Sequence, residues 1–215
     1  MALKDSDVMN IDFGNYGFMN VKVPDYIYDE LNNQVKDSPE KLCNQTGSRA
    51  ISFNNGSNIE NLFELSNSKD ILEEFVSAVC IEYNSRYNTE NRNKFLGYDK
   101  FSLEHCWVNY QKKHEFNPIH SHDGTFSFVI FMKIPYLIED ELCNPSVSKS
   151  LNPKASTFAF QYCNVFGEIQ EQVLPVDRLF EGRMFLFPSN LNHSVYPFYS
   201  SDEYRITIAG NIRGI

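Results

Sequence analysis

Asn117-Pro118-Ile119-His120-Ser121-His122-Asp123-Gly124-Thr125-Phe126-Ser127-Phe128-Val129-Ile130-Phe131-Met132-Lys133-Ile134 is the stretch whose reading decides the fold. A Pro-containing turn leads through two histidines into a run of Phe, Val and Ile, the composition of a buried strand. Outward from this strand (126–134), similar short stretches broken by turns lie at 101–110, 157–163, 168–174, 183–187, 194–198 and 203–211. Arg205-Ile206-Thr207-Ile208-Ala209 alternates polar and apolar residues with the strand period of two. Such a series predicts an antiparallel sandwich or a double-stranded β-helix, the jelly-roll architecture. The segment 139–156, with Asn144-Pro145 and Asn152-Pro153, reads as an insertion between strands, the sort of long loop that often serves as a lid or binding loop.

The first half reads as mixed. Gly17–Val23 alternates as a strand, and Pro24-Asp25 opens a helix running to about Lys36. The Asn-, Ser- and Gly-rich stretch 40–58 reads as a loop. Ser68 is placed to cap a helix over 69–87, whose apolar stripe is Ile71, Phe75, Val79 and Tyr83. The expected molecule is mainly β with flanking helices. It forms a single domain over 1–215, with supporting helices and edge strands in 1–97 and the double-stranded β-helix core in 98–213.

Net charge excludes some partners. At −9, with 19 basic against 28 acidic residues, the chain lacks the basic balance that displaces counterions from nucleic acid. Residues 1–7 lack the apolar centre of a signal peptide, and no apolar run is long enough to span a bilayer. Cys43, Cys80, Cys106, Cys143 and Cys163 are scattered without a C-x-x-C pair. They read as free thiols in a reducing, cytoplasmic setting.

Chemistry concentrates in the histidines. All five lie between residues 105 and 193. His120 and His122, two apart, are expected to share a strand face at the start of the strand running into Phe126–Ile134. His193 follows Phe185-Leu186-Phe187-Pro188, where a strand ends. Two imidazoles close in sequence plus one distant imidazole suit a metal ion held on one side, with its other positions open. Arg205, with Thr207 on the same face, suits a substrate carboxylate, because a planar guanidinium engages two oxygens at once. A bland alternative is an ion pair from Arg205 to Asp202 or Glu203. His105 is expected to pack within its strand and His114 to sit in a turn. Phe128, Ile130, Phe185 and Phe187 are candidates for an apolar wall.

On these residues the chain resembles the Fe(II)/2-oxoglutarate-dependent dioxygenases, specifically the prolyl-4-hydroxylase-like branch and phage-type relatives. The matching pieces are Trp107-Val108-Asn109-Tyr110, Asn117–His122, Phe126–Phe131, Gly182–Pro188, His193-Ser194-Val195 and Tyr204–Asn211. The resemblance implies hydroxylation of a substrate C–H bond with release of succinate and CO2, using Fe(II), 2-oxoglutarate and O2. It places His120 and His193 as iron ligands, and Arg205 with Thr207 on the far carboxylate of 2-oxoglutarate. Tyr110 falls at a position that gives its hydroxyl to the co-substrate, with Asn109 and Asn211 lining the same pocket. Relatives act on protein side chains and small molecules, so either is an expected substrate.

One position departs from the family. It usually carries Asp or Glu two residues after the first histidine, and here His122 stands there. Either His122 ligates as a neutral imidazole, which is the favoured reading, or Asp123 turns in through a bulge. Two further readings stand beside the oxygenase. One is a cupin-like three-histidine metalloenzyme that does not use 2-oxoglutarate, and the other is a non-catalytic jelly-roll binding module.

Overall fold

The protein is described from a computed structural model covering residues 17–37, 39, 57, 59–65, 68–87, 97–145 and 147–215. In chain order the elements are β1 (Met19–Lys22), α1 (Asp25–Val35), β2 (Asn61–Glu64), α2 (Lys69–Tyr87), β3 (Phe101–Gln111), β4 (Asn117–His120), β5 (Phe126–Lys133), α3 (Ile138–Cys143), β6 (Thr157–Cys163), β7 (Ile169–Pro175), β8 (Arg183–Pro188), β9 (Asn192–Val195) and β10 (Arg205–Gly214). From β3 onward the chain passes back and forth between two antiparallel sheets. The larger has the order β1-β8-β5-β10-β3-β2 and the smaller β4-β9-β6-β7. This is the expected double-stranded β-helix, with β1 and β2 from the first half serving as edge strands.

Two apolar clusters hold it together. One fills the space between the larger sheet and the helices, and contains Ile27, Leu31 and Val35 of α1. Those three residues recur every fourth position on one helix face, which is why this segment coils and docks. The α2 helix inserts Leu72, Val76, Val79, Cys80 and Tyr83. The buried stripe is therefore rotated from the expected one: Val79 and Tyr83 lie in it, while Ile71 and Phe75 flank it. Ser68 does precede the helix, but its hydroxyl donates to Gln34 Oε1 at 2.8 Å, tying α2 to α1. The second cluster lies between the sheets and is largely aromatic, including Phe131, Phe158, Phe160, Phe185 and Phe187.

The loop expected at 40–58 lies, apart from Ser57, outside the described residues, as does Cys43. Cys80, Cys106, Cys143 and Cys163 are free thiols. Burial pushes the Cys106 thiol up to about 12 and Cys80 still higher, which disfavours the thiolate at both. Among the described residues, no helix is long and apolar enough to cross a membrane. The 139–156 insertion carries α3, whose Glu141 is fully buried. His114 sits in a turn with a positive φ of 69°, and His105 is exposed on β3.

Gly210 is a point of close backbone approach in the larger sheet. A Cβ there would lie 2.6 Å from the His105 carbonyl oxygen and 2.6 Å from the Phe128 ring. The obstacle is partly backbone and cannot swing aside. Gly210→Ala should cost about 1–3 kcal/mol, the usual range for overpacking, read as a lower urea midpoint with an unchanged slope. An unaltered midpoint would contradict this packing.

Candidate active site

Strand parity builds one wall of a cleft between the sheets. In the β10–β3 register Arg205 faces Gln111, Thr207 faces Asn109 and Ala209 faces Trp107. Side chains two apart share a face, so these six residues form three rungs on the inner side of the larger sheet. Leu62 of β2 and Val129 and Phe131 of β5 extend the wall, while His120, Phe158, His193 and Val195 face it from the smaller sheet. The cleft holds about 680 Å³ of empty space, open solvent at its mouth included.

The histidines meet at one end. His120 and His193 are opposite one another in the β4–β9 register. His122 joins them by a different route from the expected one. It does not share a strand face with His120, because β4 ends at His120 and β5 begins only at Phe126. Instead the chain turns, and the His122 backbone N–H donates to the Ser189 carbonyl at 2.8 Å. His193 lies past the end of β8, as expected, and within the short strand β9. All three rings bring a nitrogen within 4.8 Å of the others. Asp123 is exposed and is not part of this group.

The protonation pattern suits a metal. His120 Nδ1 donates to the Pro118 carbonyl at 2.7 Å and His193 Nδ1 to the Leu191 carbonyl at 3.0 Å. A carbonyl can only accept, so Nδ1 carries the proton and Nε2 keeps its lone pair. The Asn117 amide, 3.4 Å from His120 Nε2, meets that lone pair. Burial holds all three rings below the ordinary histidine range, with His122 at about 4. They are therefore neutral at pH 7, the form that ligates. His193 is also packed by Phe158, stacked at 5.4 Å, and by Phe187.

Arg205 occupies the other end and is only 2% exposed. Its guanidinium donates twice to Gln111 Oε1, to Tyr136 Oη at 2.7 Å and to the Tyr196 carbonyl at 3.0 Å, with the Phe198 ring 5.5 Å away. None of these partners is charged. The ion pair with Asp202 or Glu203 does not form: Lys113 takes Asp202 and Lys133 takes Glu203. Gln111 is fixed by donating its Nε2 to the Glu115 carbonyl at 2.6 Å, which turns Oε1 toward the arginine. Glu141 accepts the backbone N–H groups of Tyr199 and Ser200, both at 2.8 Å, and the Ser200 hydroxyl. It thereby anchors the 196–200 segment that reaches Arg205.

Thr207 and Asn109 line the cleft and are joined by a 3.1 Å hydrogen bond from the amide. Tyr110 is turned away: one residue out of phase, it belongs to the helix-side core, and its hydroxyl donates to the Val35 carbonyl at 3.1 Å. Asn211 shares the parity of Arg205 but lies beyond the cleft, accepting from Ser127 at 2.9 Å. Phe128 and Ile130 likewise pack on the helix side, whereas their neighbours Val129 and Phe131 form the wall. Phe185 and Phe187 pack between the sheets. Gln111, Tyr136 and Tyr196 have no part in the sequence reading, and Trp107 enters it only within the matching run Trp107-Val108-Asn109-Tyr110. Trp107 and Gln111 follow from Asn109 by period two, but Tyr136 and Tyr196 carry no such signal.

Residues 105–211 match a family model described as "Putative 2OG-Fe(II) oxygenase". Among solved structures, a Pseudomonas putida prolyl-4-hydroxylase aligns with a TM-score of 0.55 at 12% identity, covering 93% of this chain and 94% of that one. The viral collagen prolyl hydroxylase of Paramecium bursaria Chlorella virus-1, solved as a 2-oxoglutarate complex, aligns at 0.50 with 14% identity, over 94% and 98% of the two chains. AviO1 from Streptomyces viridochromogenes Tue57 aligns at 0.51 with 10% identity, over 92% and 89%. No curated protein matches. The structural likenesses speak for the shared fold, and the family match spans β3 to β10 with all three clustered histidines and Arg205. The chain belongs to the 2OG-Fe(II) oxygenase superfamily, enzymes that work with Fe(II), 2-oxoglutarate and O2.

Proposed function

We propose that the protein is a dioxygenase that hydroxylates a C–H bond of its substrate and releases succinate and CO2. In this reading His120, His122 and His193 hold the iron, and Arg205 and Thr207 hold 2-oxoglutarate. The observation that carries it is Arg205, a buried cation whose partners are all uncharged, in the same cleft as three neutral imidazoles. A buried charge of this kind calls for a counter-ion. A dicarboxylate long enough to reach from the arginine to the metal supplies one.

Iron with 2-oxoglutarate and O2 supplies the oxidising chemistry, which is the cofactors' own. The protein's part is placement. Arg205 turns its remaining Nη1 N–H to the remote carboxylate, while its bonds to Gln111, Tyr136 and Tyr196 keep its plane fixed. Thr207 accepts from Asn109, which leaves its own hydrogen to donate to a carboxylate oxygen. Val129, Phe131 and Phe158 exclude water, which strengthens each of these contacts. The substrate is a small molecule or a protein side chain.

Calorimetric titration of Mn(II)-loaded protein with 2-oxoglutarate tests the reading directly. Arg205→Lys should weaken binding about 10- to 100-fold, the cost of losing a charge-assisted hydrogen bond of roughly 1.5–3 kcal/mol. Absence of binding to the native protein would rule out the co-substrate. Incubation with Fe(II), 2-oxoglutarate and ascorbate should yield succinate. His120→Ala and His193→Ala should abolish both that and stoichiometric metal.

Acid should destabilise the metal-free protein. The folded-state values of the clustered histidines lie below 6.5, and His122 is at about 4. The unfolded chain therefore binds more protons as pH falls below 6.5. Stability is full above that value and is lost as pH drops through the folded values. His122→Asn should flatten the melting-temperature profile between pH 6.5 and 4, and an unchanged profile would contradict a buried neutral His122.

A further inference from the structure

The hairpin that joins β6 to β7 presents an apolar tip on a firmly held turn. The Gly167 N–H donates to the Asn164 carbonyl at 3.0 Å, and Gly167 takes a left-handed φ of 81°. This is the three-residue hairpin loop with glycine at its bulge. The Asn164 side chain locks it, accepting the Phe166 and Glu168 backbone N–H groups at 2.9 and 3.0 Å and donating to the Glu168 carboxylate at 2.8 Å. Yet Phe166 is 83% exposed, and Ile169, the first residue of β7, is 86% exposed. Apolar groups displayed in water on so fixed a turn mark a contact surface.

The β7 strand is also an open edge. Among the described residues it pairs only with β6. The Asn164 N–H donates to the Glu168 carbonyl at 2.9 Å, which fixes the phase of the ladder. Alternation then turns the N–H and C=O groups of Ile169, Glu171 and Val173 away from β6. Edge strands are commonly guarded by a charge or a proline. Here Pro175 guards only the far end, and the Glu171 carboxylate is engaged by Lys154 and by Gln161 Nε2, the latter at 3.1 Å. From Ile169 to Val173 the edge is open to another strand.

The geometry points to a second copy of this chain as the occupant, paired antiparallel through β7 about a two-fold axis near Glu171. Such a contact is isologous, so one end of the strand must suit the other. It does so in charge and in polarity. Phe166, Glu168 and Ile169 precede Glu171, and the exposed Arg178 and Leu179 follow it, Leu179 at 84% exposure. Antiparallel pairing carries the apolar, acidic tip of one copy toward the apolar, basic end of its partner, and the symmetry repeats the match. The two Glu171 carboxylates approach at the axis, each already paired with its own Lys154. None of these residues lines the cleft, so the association stands apart from the proposed chemistry.

Sedimentation velocity of the full chain tests this, over a concentration series reaching about 300 µM, where a contact smaller than a standard interface still shows. A monomer–dimer equilibrium is expected. Phe166→Asp should weaken it at least about tenfold, as loss of an apolar anchor does. Val173→Pro should weaken it as well, because that N–H points away from β6 and only the pairing between copies loses a donor. Glu168→Arg should weaken it about three- to tenfold, two exposed ion pairs being lost, and adding Arg178→Glu should restore it. An unchanged melting temperature shows that each variant folds. A monomer throughout the series overturns the inference, and so does a dimer indifferent to Phe166→Asp and Val173→Pro. Failure of the doubly substituted protein to recover overturns the antiparallel pairing. A monomer that instead binds phosphatidylcholine vesicles through Phe166 assigns the tip to a membrane and equally overturns it.

Discussion

The antiparallel register that sets Arg205 opposite Gln111 is the constraint on which the site depends. Ten β10 residues pair with β3, and most of them also pair with β5 on the other side. Because side chains alternate, a slip of one residue would move Arg205, Thr207 and Ala209 into the helix-side core and bring Ile206 and Ile208 into the cleft. A guanidinium among Ile27, Leu31 and Val76 would have no acceptors. The apolar core therefore selects the register, and the register places the cation.

Parity also explains what could be read beforehand. The double-stranded β-helix, the strand at Phe126–Lys133 and the trio of His120, His193 and Arg205 were visible as periodic apolar runs with polar residues at their ends. Thr207 and Asn109 came out on the correct face. Tyr110 and Phe128 did not, since a strand buried on both sides shows hydrophobic residues at every position and conceals its own phase. His122 was grouped with its partners for the wrong reason: a turn held by the Ser189 carbonyl brings it in. Contacts such as Tyr136 or Glu141 depend on segments 58 to 69 residues away in sequence, beyond any local pattern.

Global and local charge point in opposite directions. The −9 total disfavours polyanions at the surface, whereas the cleft is lined by imidazoles, amides and one arginine. Several exposed acids are taken up by lysines, as at Lys113–Asp202 and Lys133–Glu203, on either side of the start of β10. Those pairs keep carboxylates engaged at the surface, away from the buried guanidinium.

The histidines and the arginine also belong to different sheets: His120 and His193 to the smaller, Arg205 to the larger. A ligand that touches both ends of the cleft therefore fastens one layer of the molecule to the other. Its binding energy is added to the cohesion of the whole sandwich by mass action, and amide protons on β4 and β9 would exchange more slowly once it is in place. Occupancy and mechanical integrity become one property here, and a cell depleted of either metal or co-substrate would hold a looser protein as well as an idle one.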